Sequence, residues 1–175
     1  MKFRVEREVL AEALGACARV ASTRNNAMPA LSGVRLALTG DELTITCTDN
    51  DLSVQFVLTV GGQGDGVVVA SAKLLSDIVR STPDGKVTIE TQNEEVVATS
   101  GRFQTTVSTF AAADFPNVTL ASAPPVTISA PLLADALRQV VRAASTDMQR
   151  LALTGVLMAA EPEGLRLVEI GRAHV

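Results

Sequence analysis

No tryptophan or tyrosine occurs in the sequence, and phenylalanine is used only five times. With 47% hydrophobic residues the chain can still bury a core, and aliphatic side chains must pack most of it. Histidine is as scarce, because the single one, His174, stands at the far end. A nucleophilic triad needs a base beside its nucleophile, so none can be assembled, and no catalytic residue is assigned. The two cysteines, Cys17 and Cys47, together with His174 match no zinc spacing; they read as reduced core thiols, and neither a metal nor a cofactor is implied. No apolar run approaches the length of a membrane span and the opening MKFRVERE is charged, so neither insertion nor secretion is supported and a cytoplasmic location is expected. Net positive charge is missing too. At −4 the chain is not one that grips nucleic acid by bulk attraction, which leaves room only for a protein that must not grip it.

What the sequence does contain is a repeat. Residues 10–23 read LAEALGACARVAST and residues 133–146 read LADALRQVVRAAST. At one offset Leu10, Ala13 and Leu14 recur as Leu133, Ala136 and Leu137, and Arg19 recurs as Arg142. Upstream, Phe3 and Val5 align with Val126 and Ile128; downstream, with both matches one residue out of step, Ala30 to Val34 matches Ala152 to Val156 and Leu43-Thr44-Ile45 matches Leu165-Arg166-Leu167. Strand, helix, loop and hairpin therefore recur in one order, the mark of a module of about 120 residues used more than once.

Taken in order, Lys2 to Val5 alternates as a strand, and residues 7–21 place Leu10, Ala13, Leu14, Cys17 and Val20 on one helical stripe with Glu8, Glu12 and Arg19 opposite. Ser22 to Pro29 reads as a polar loop. Alternation at Val34, Leu36 and Leu38, a Gly40-Asp41 turn and alternation at Leu43, Ile45 and Cys47 predict a half-buried hairpin. Leu52 to Val60 is a further strand, Gly61 to Gly66 a loose turn without the ending of a phosphate loop, and Val67 to Ala70 a short strand. A helix over 72–81 is expected to turn Leu74, Leu75, Ile78 and Val79 inward. Strands at Lys86 to Gln92, Val96 to Ser100 and Phe103 to Thr109 follow, and Ala111 to Pro125, with three prolines and no period, reads as a connection. Residues 132–145 repeat the first helix and Thr154 to Val168 the first hairpin. The carboxylates of Asp49 and Asp51, in TDNDL, are expected to cap a turn rather than to catalyse.

MKFRVERE, PALSGVRL, Thr48-Asp49-Asn50-Asp51-Leu52, Ser100-Gly101-Arg102, Ser108-Thr109 and Ala112-Ala113-Asp114-Phe115-Pro116-Asn117, in this order and spacing, resemble the bacterial DNA polymerase III beta subunits, the replicative sliding clamps. The resemblance runs from Met1 to Glu169. It implies an α+β DNA-clamp fold: a repeated module of antiparallel sheet with two helices, here one complete module (1–120), a linker (121–125) and the first part of a second (126–169). It further implies three modules per subunit and a homodimeric ring around double-stranded DNA. Such a ring confers processivity without catalysis and receives the polymerase III catalytic subunit and the clamp loader in a peptide pocket.

Basic residues on the outward helix faces and following loops are the DNA candidates: Arg24, Arg138, Arg142, Arg150, Lys73 and Arg80, with Arg19 beside them and Glu12 and Asp135 opposing the positive character. For the contact between subunits the family's outer strand and short helix map to Phe103 to Thr109 and Lys73 to Arg80, giving Leu74, Ile78, Thr105 and Val107. Where the family would place Thr-Asp-Gly followed by His-Arg, the chain has Ile170-Gly171-Arg172-Ala173-His174-Val175. These residues are expected to be a non-native tail on a gene fragment, with the second module incomplete and the peptide pocket largely missing. Two rival readings stand beside it: an autonomous protein-binding α+β module without a DNA role, and a small-molecule enzyme, for which the sequence offers no convergence of polar groups.

Overall fold

A computed structural model describes residues 1–21, 28–119, 123–124, 126–147 and 149–169. The chain divides into two compact units, Met1–Leu120 and Ala121–Val175.

The described residues of the first unit contain nine strands: β1 (Lys2–Glu6), β2 (Gly33–Thr39), β3 (Glu42–Thr48), β4 (Ser53–Thr59), β5 (Gly61–Gln63), β6 (Gly66–Ser71), β7 (Lys86–Gln92), β8 (Glu95–Ser100) and β9 (Phe103–Phe110). They form one sheet in the order β4-β3-β2-β6-β9-β8-β7-β1-β5, every described pairing antiparallel. Period-two alternation sends Val34, Leu36, Leu38, Leu43, Ile45 and Cys47 to one face, where each is at most 2% exposed. Two helices cover that face. In α1 (Arg7–Val20) the stripe of Leu10, Ala13, Leu14 and Cys17 is buried, while in α2 (Ala72–Ser81) Ala72, Leu75, Ser76 and Val79 are. Both ends of the helix pair are tied down: Arg7 N–H donates to the Gly85 carbonyl at 2.8 Å, and the Ser71 hydroxyl accepts from Leu74 N–H at 3.4 Å.

Three expectations change here. Gly61 to Gly66 is not simply a loose turn, because Gly61–Gln63 forms β5 and pairs with Arg4, Phe3 and Lys2 of β1. The reason is backbone proximity: a Cβ on Gly62 would overlap the carbonyl of Gly40, and Gly62 N–H donates to Asp41 at 2.9 Å, so this end of the sheet returns to the β2–β3 turn. Leu74 is 55% exposed, since α2 offers only one stripe to the sheet and Leu75 and Val79 occupy it. Nor is all of 111–125 a connection. Ala112–Asp114 forms a 3-10 turn and Phe115 is 6% exposed. The residues from 115 to 118 lie over the outer face of the sheet, where Thr46 and Thr48 are also buried, so the hairpin is covered on both sides at that end.

The second unit holds α3 (Ala130–Val140), a 3-10 turn at Val141–Ala143, another at Leu151–Leu153, and the hairpin β10 (Leu157–Glu161) and β11 (Gly164–Val168). Pro131 sits in the first turn of α3, where its missing N–H costs least. The α-helix stops at Val140 rather than running to 145, and residues 126–129 carry no strand although they align with β1. β1 is a strand because β7 and β5 flank it; the second unit presents no such partners among the described residues. No described helix is long and apolar enough to cross a membrane.

Candidate nucleic-acid interface

The two helices of the first unit pack against each other, and their outer side carries the polar residues. Lys73, Asp77 and Arg80 of α2 and Glu8, Glu12 and Arg19 of α1 are all exposed. Gly15 makes this packing close: a Cβ there would overlap the Arg80 guanidinium, which lies across α1. The exposed Arg80 side chain thus lies against α1.

Arg7 was not singled out by the sequence, yet it is the most engaged of the unit's described cations. Its guanidinium donates to the carbonyls of Arg80 at 3.2 Å and Thr82 at 3.4 Å and pairs with Asp84 at 2.8 Å. Those carbonyls are at the C-terminal end of α2, the negative end of its dipole. The available signal was its position: a cation in the first turn of its own helix is electrostatically misplaced unless it serves another element.

In the second unit Arg138 forms an ion pair with Asp135 one turn earlier, so part of its charge is already compensated. Arg142, in the 3-10 turn, and Arg150 are exposed. Arg24 lies outside the described residues, as does the 170–175 tail with His174. The helix faces therefore present cations and carboxylates mixed.

The four residues predicted for the subunit contact fall into different environments. Leu74 is exposed, Ile78 and Thr105 are half-buried, and Val107 is 6% exposed within the core. β9 pairs with β8 from Phe103 to Ser108 but with β6 only at Thr109 and Phe110. Its other edge is consequently unpaired over most of its length among the described residues, beside a helix bearing an exposed leucine.

The remaining groups are structural. The Asp49 carboxylate accepts from the backbone N–H groups of Asp51 at 3.0 Å and Leu52 at 2.7 Å, and Thr48 Oγ1 accepts from Asn50 N–H at 3.0 Å. This turn places Asn50 at φ 79°, a left-handed conformation that Asn tolerates. Cys17 and Cys47 are free and fully buried, the Cys47 thiol donating to the Cys17 carbonyl at 3.3 Å. Its hydrogen bonding with Cys17 and its burial raise the Cys47 thiol pKa well above the usual range. No group of three or more His, Cys, Asp or Glu side chains able to hold a metal ion occurs among the described residues.

Residues 1–119 match the family described as DNA polymerase III beta subunit, N-terminal domain. The chain belongs to the DNA polymerase III beta subunit family. It is 31% identical over 172 residues to the beta sliding clamp of Micrococcus luteus, an alignment covering 98% of this chain and 55% of that protein. Among solved structures it resembles the DNA polymerase III beta subunit of Pseudomonas aeruginosa, with a TM-score of 0.86 and 27% identity over 99% of this chain and 47% of that one. The Caulobacter crescentus polymerase III beta structure matches with a TM-score of 0.82 and 29% identity over 95% and 46% of the two chains. The chain thus spans about half the length of the curated relatives it matches. The α+β clamp fold, with its large antiparallel sheet, is the fold of these relatives.

Proposed function

We propose that this chain contributes to a ring-shaped, non-catalytic processivity factor that encloses duplex DNA and tethers a replicative polymerase, residues 1–120 forming one clamp module and 126–169 belonging to the next. The supporting observation is the repeat carried into three dimensions within a clamp family: helix, 3-10 turn and β-hairpin follow one another in both units. In this reading the helices face DNA. Lys73, Arg80, Arg138, Arg142, Arg150 and Arg24 then make sequence-independent phosphate contacts. The mixture of these cations with Glu8, Glu12 and Asp77 suits a protein that slides, because each neutralised phosphate steepens the salt dependence of binding by about 0.9 in log–log slope. The open edge of β9 and exposed Leu74 form the contact that closes the ring, with Ile78 and Thr105 bordering it and Val107 supporting the strand from inside. The catalytic subunit and the loader are the expected peptide-bearing partners.

With the protein assembled to the length of its relatives, retention on closed circular DNA and loss upon linearisation is the outcome this function requires. Equal retention on both forms would overturn it. Replacing Arg142 and Arg150 by Ala should flatten the salt slope and leave base preference unchanged. Leu74→Asp tests closure more cleanly than a change at Ile78, which also packs on the core; an undiminished dimer in sedimentation would count against the β9–α2 interface.

A further inference from the structure

The outer face of the first unit's sheet, away from the helices, carries a cation the clamp reading does not use. Arg35 of β2 stands opposite Thr46 of β3, and Thr46 stands opposite Gln55 of β4. Residues in direct cross-strand register share a face, and neighbouring strands are about 4.8 Å apart, so guanidinium, hydroxyl and amide form one row. The chain from Phe115 to Val118 passes over this row and closes it into a cleft of about 290 Å³, lined also by Asn117.

Within the cleft Arg35 is half-buried and has no hydrogen bond, ion pair or ring contact among the described residues. No Asp or Glu lines the cleft among the described residues. Thr46 is 4% exposed and its oxygen accepts from Gln55 Nε2 at 3.3 Å, which leaves the hydroxyl proton available as a donor. Asn117 adds an exposed amide at the rim. The cleft therefore gathers one full positive charge and neutral donors without an internal anion. Partial removal of a guanidinium from water without a partner is unfavourable, and an anion entering the cleft would relieve it.

We infer that the Arg35–Thr46–Gln55 cleft binds a peptide carboxylate, either a chain terminus or an Asp or Glu side chain. The guanidinium fork matches a planar carboxylate through two parallel N–H···O bonds, and one cation balances one negative charge. A phosphate dianion would need a second cation, and Arg35 is the one cation among the described lining residues. The site is separate from the helix faces and does not depend on ring formation.

The test is 1H–15N NMR titration of this chain with three short peptides: acetyl-trialanine with a free terminal carboxylate, the same peptide as its amide, and acetyl-Ala-Asp-Ala-amide. Saturable shifts of the Arg35 Nε–H and of the Gln55 and Asn117 side-chain amides with at least one acid, and none with the trialanine amide, are expected. The tighter of the two acids identifies the source. Arg35→Gln should weaken that binding by about tenfold or more, as expected for loss of a charge-assisted hydrogen-bonded pair. Should that variant fail to fold, Gln55→Ala, at an exposed position, should still weaken binding. An equal response to the amide, tighter binding of inorganic phosphate than of either acid, or an affinity unchanged in the folded variants would overturn the assignment.

Discussion

Leu10, Leu14 and Cys17 of α1 have counterparts in Leu133, Leu137 and Val140 of α3, yet the first three are completely covered and the second three only half-buried. Both helices carry the same apolar stripe. α1 rests on β2, β3 and β4 with α2 at its side, whereas α3 contacts β11 and the 3-10 turn that follows it. Val126, Leu132, Leu151 and Leu157 of the second unit are each more than 60% exposed. An amphipathic stripe fixes which side of a helix turns inward, but the amount it buries is set by how many strands lie beneath it. Gly33 and Gly155 show the same contrast at a single atom. A Cβ on Gly33 would meet Val69 Cγ1 at 2.7 Å and the Ala30 carbonyl at 2.9 Å, whereas one on Gly155 meets nothing within 4 Å.

The largest effect expected from this contrast is at the paired leucines. Leu14→Ala should cost about 2–5 kcal/mol of unfolding free energy, the range for a buried leucine emptied into a packed core. Leu137→Ala should cost far less. Urea unfolding followed by circular dichroism compares them, and equal losses would break the distinction between the units. Next come the glycines: Gly33→Ala should destabilise by about 1–3 kcal/mol through overpacking against Val69 and a backbone carbonyl, and Gly155→Ala should leave the midpoint unchanged.

Thiol chemistry sharpens the comparison further. Cys17 and Cys47, sealed in the first unit, should react with an aromatic disulfide reagent only as fast as that unit opens, while a cysteine placed at Val140, the counterpart of Cys17, should react orders of magnitude faster. Comparable rates would mean that the first core is no tighter than the second.

The smallest effect is electrostatic and local to β1, whose aligned residues 126–129 in the second unit carry no strand. Lys2 pairs with Glu90 at 3.2 Å, and its hydrogen bonding to that carboxylate holds the Glu90 pKa below the usual value. A depressed carboxylate stabilises the folded state above its unfolded pKa and loses that contribution as pH falls through the folded value. Glu90→Gln should therefore leave the chain slightly less stable near neutrality and remove this part of the acid dependence below the ordinary Glu range. Amide exchange of Lys2 to Val5 across an acid titration reads it.

Much of the first unit is legible in the sequence alone, because its strands alternate with period two and its helices keep a 3.6-residue stripe, patterns produced by local backbone geometry. The repeat was legible for the same reason, as the same pattern in the same order. Position on a helix face was legible as well: Arg19, Lys73 and Arg80 are exposed, as the helical period requires. Properties that depend on remote partners were not. Gly61–Gln63 becomes a strand only because β1 and the Gly40 turn arrive beside it, and Leu74 stays exposed only because Leu75 and Val79 fill the sheet contact. The strand pattern at Val126 and Ile128 produced no strand, since hydrogen-bonding partners, not alternation, complete a sheet. Arg35, Thr46 and Gln55 lie on three separate strands, and only register and the passage of residues 115–118 bring them together. The sequence by itself determined the module, its order of elements and its inward faces, which are local and periodic; the tertiary structure decided which of those faces found a partner, because burial and pairing join residues far apart along the chain.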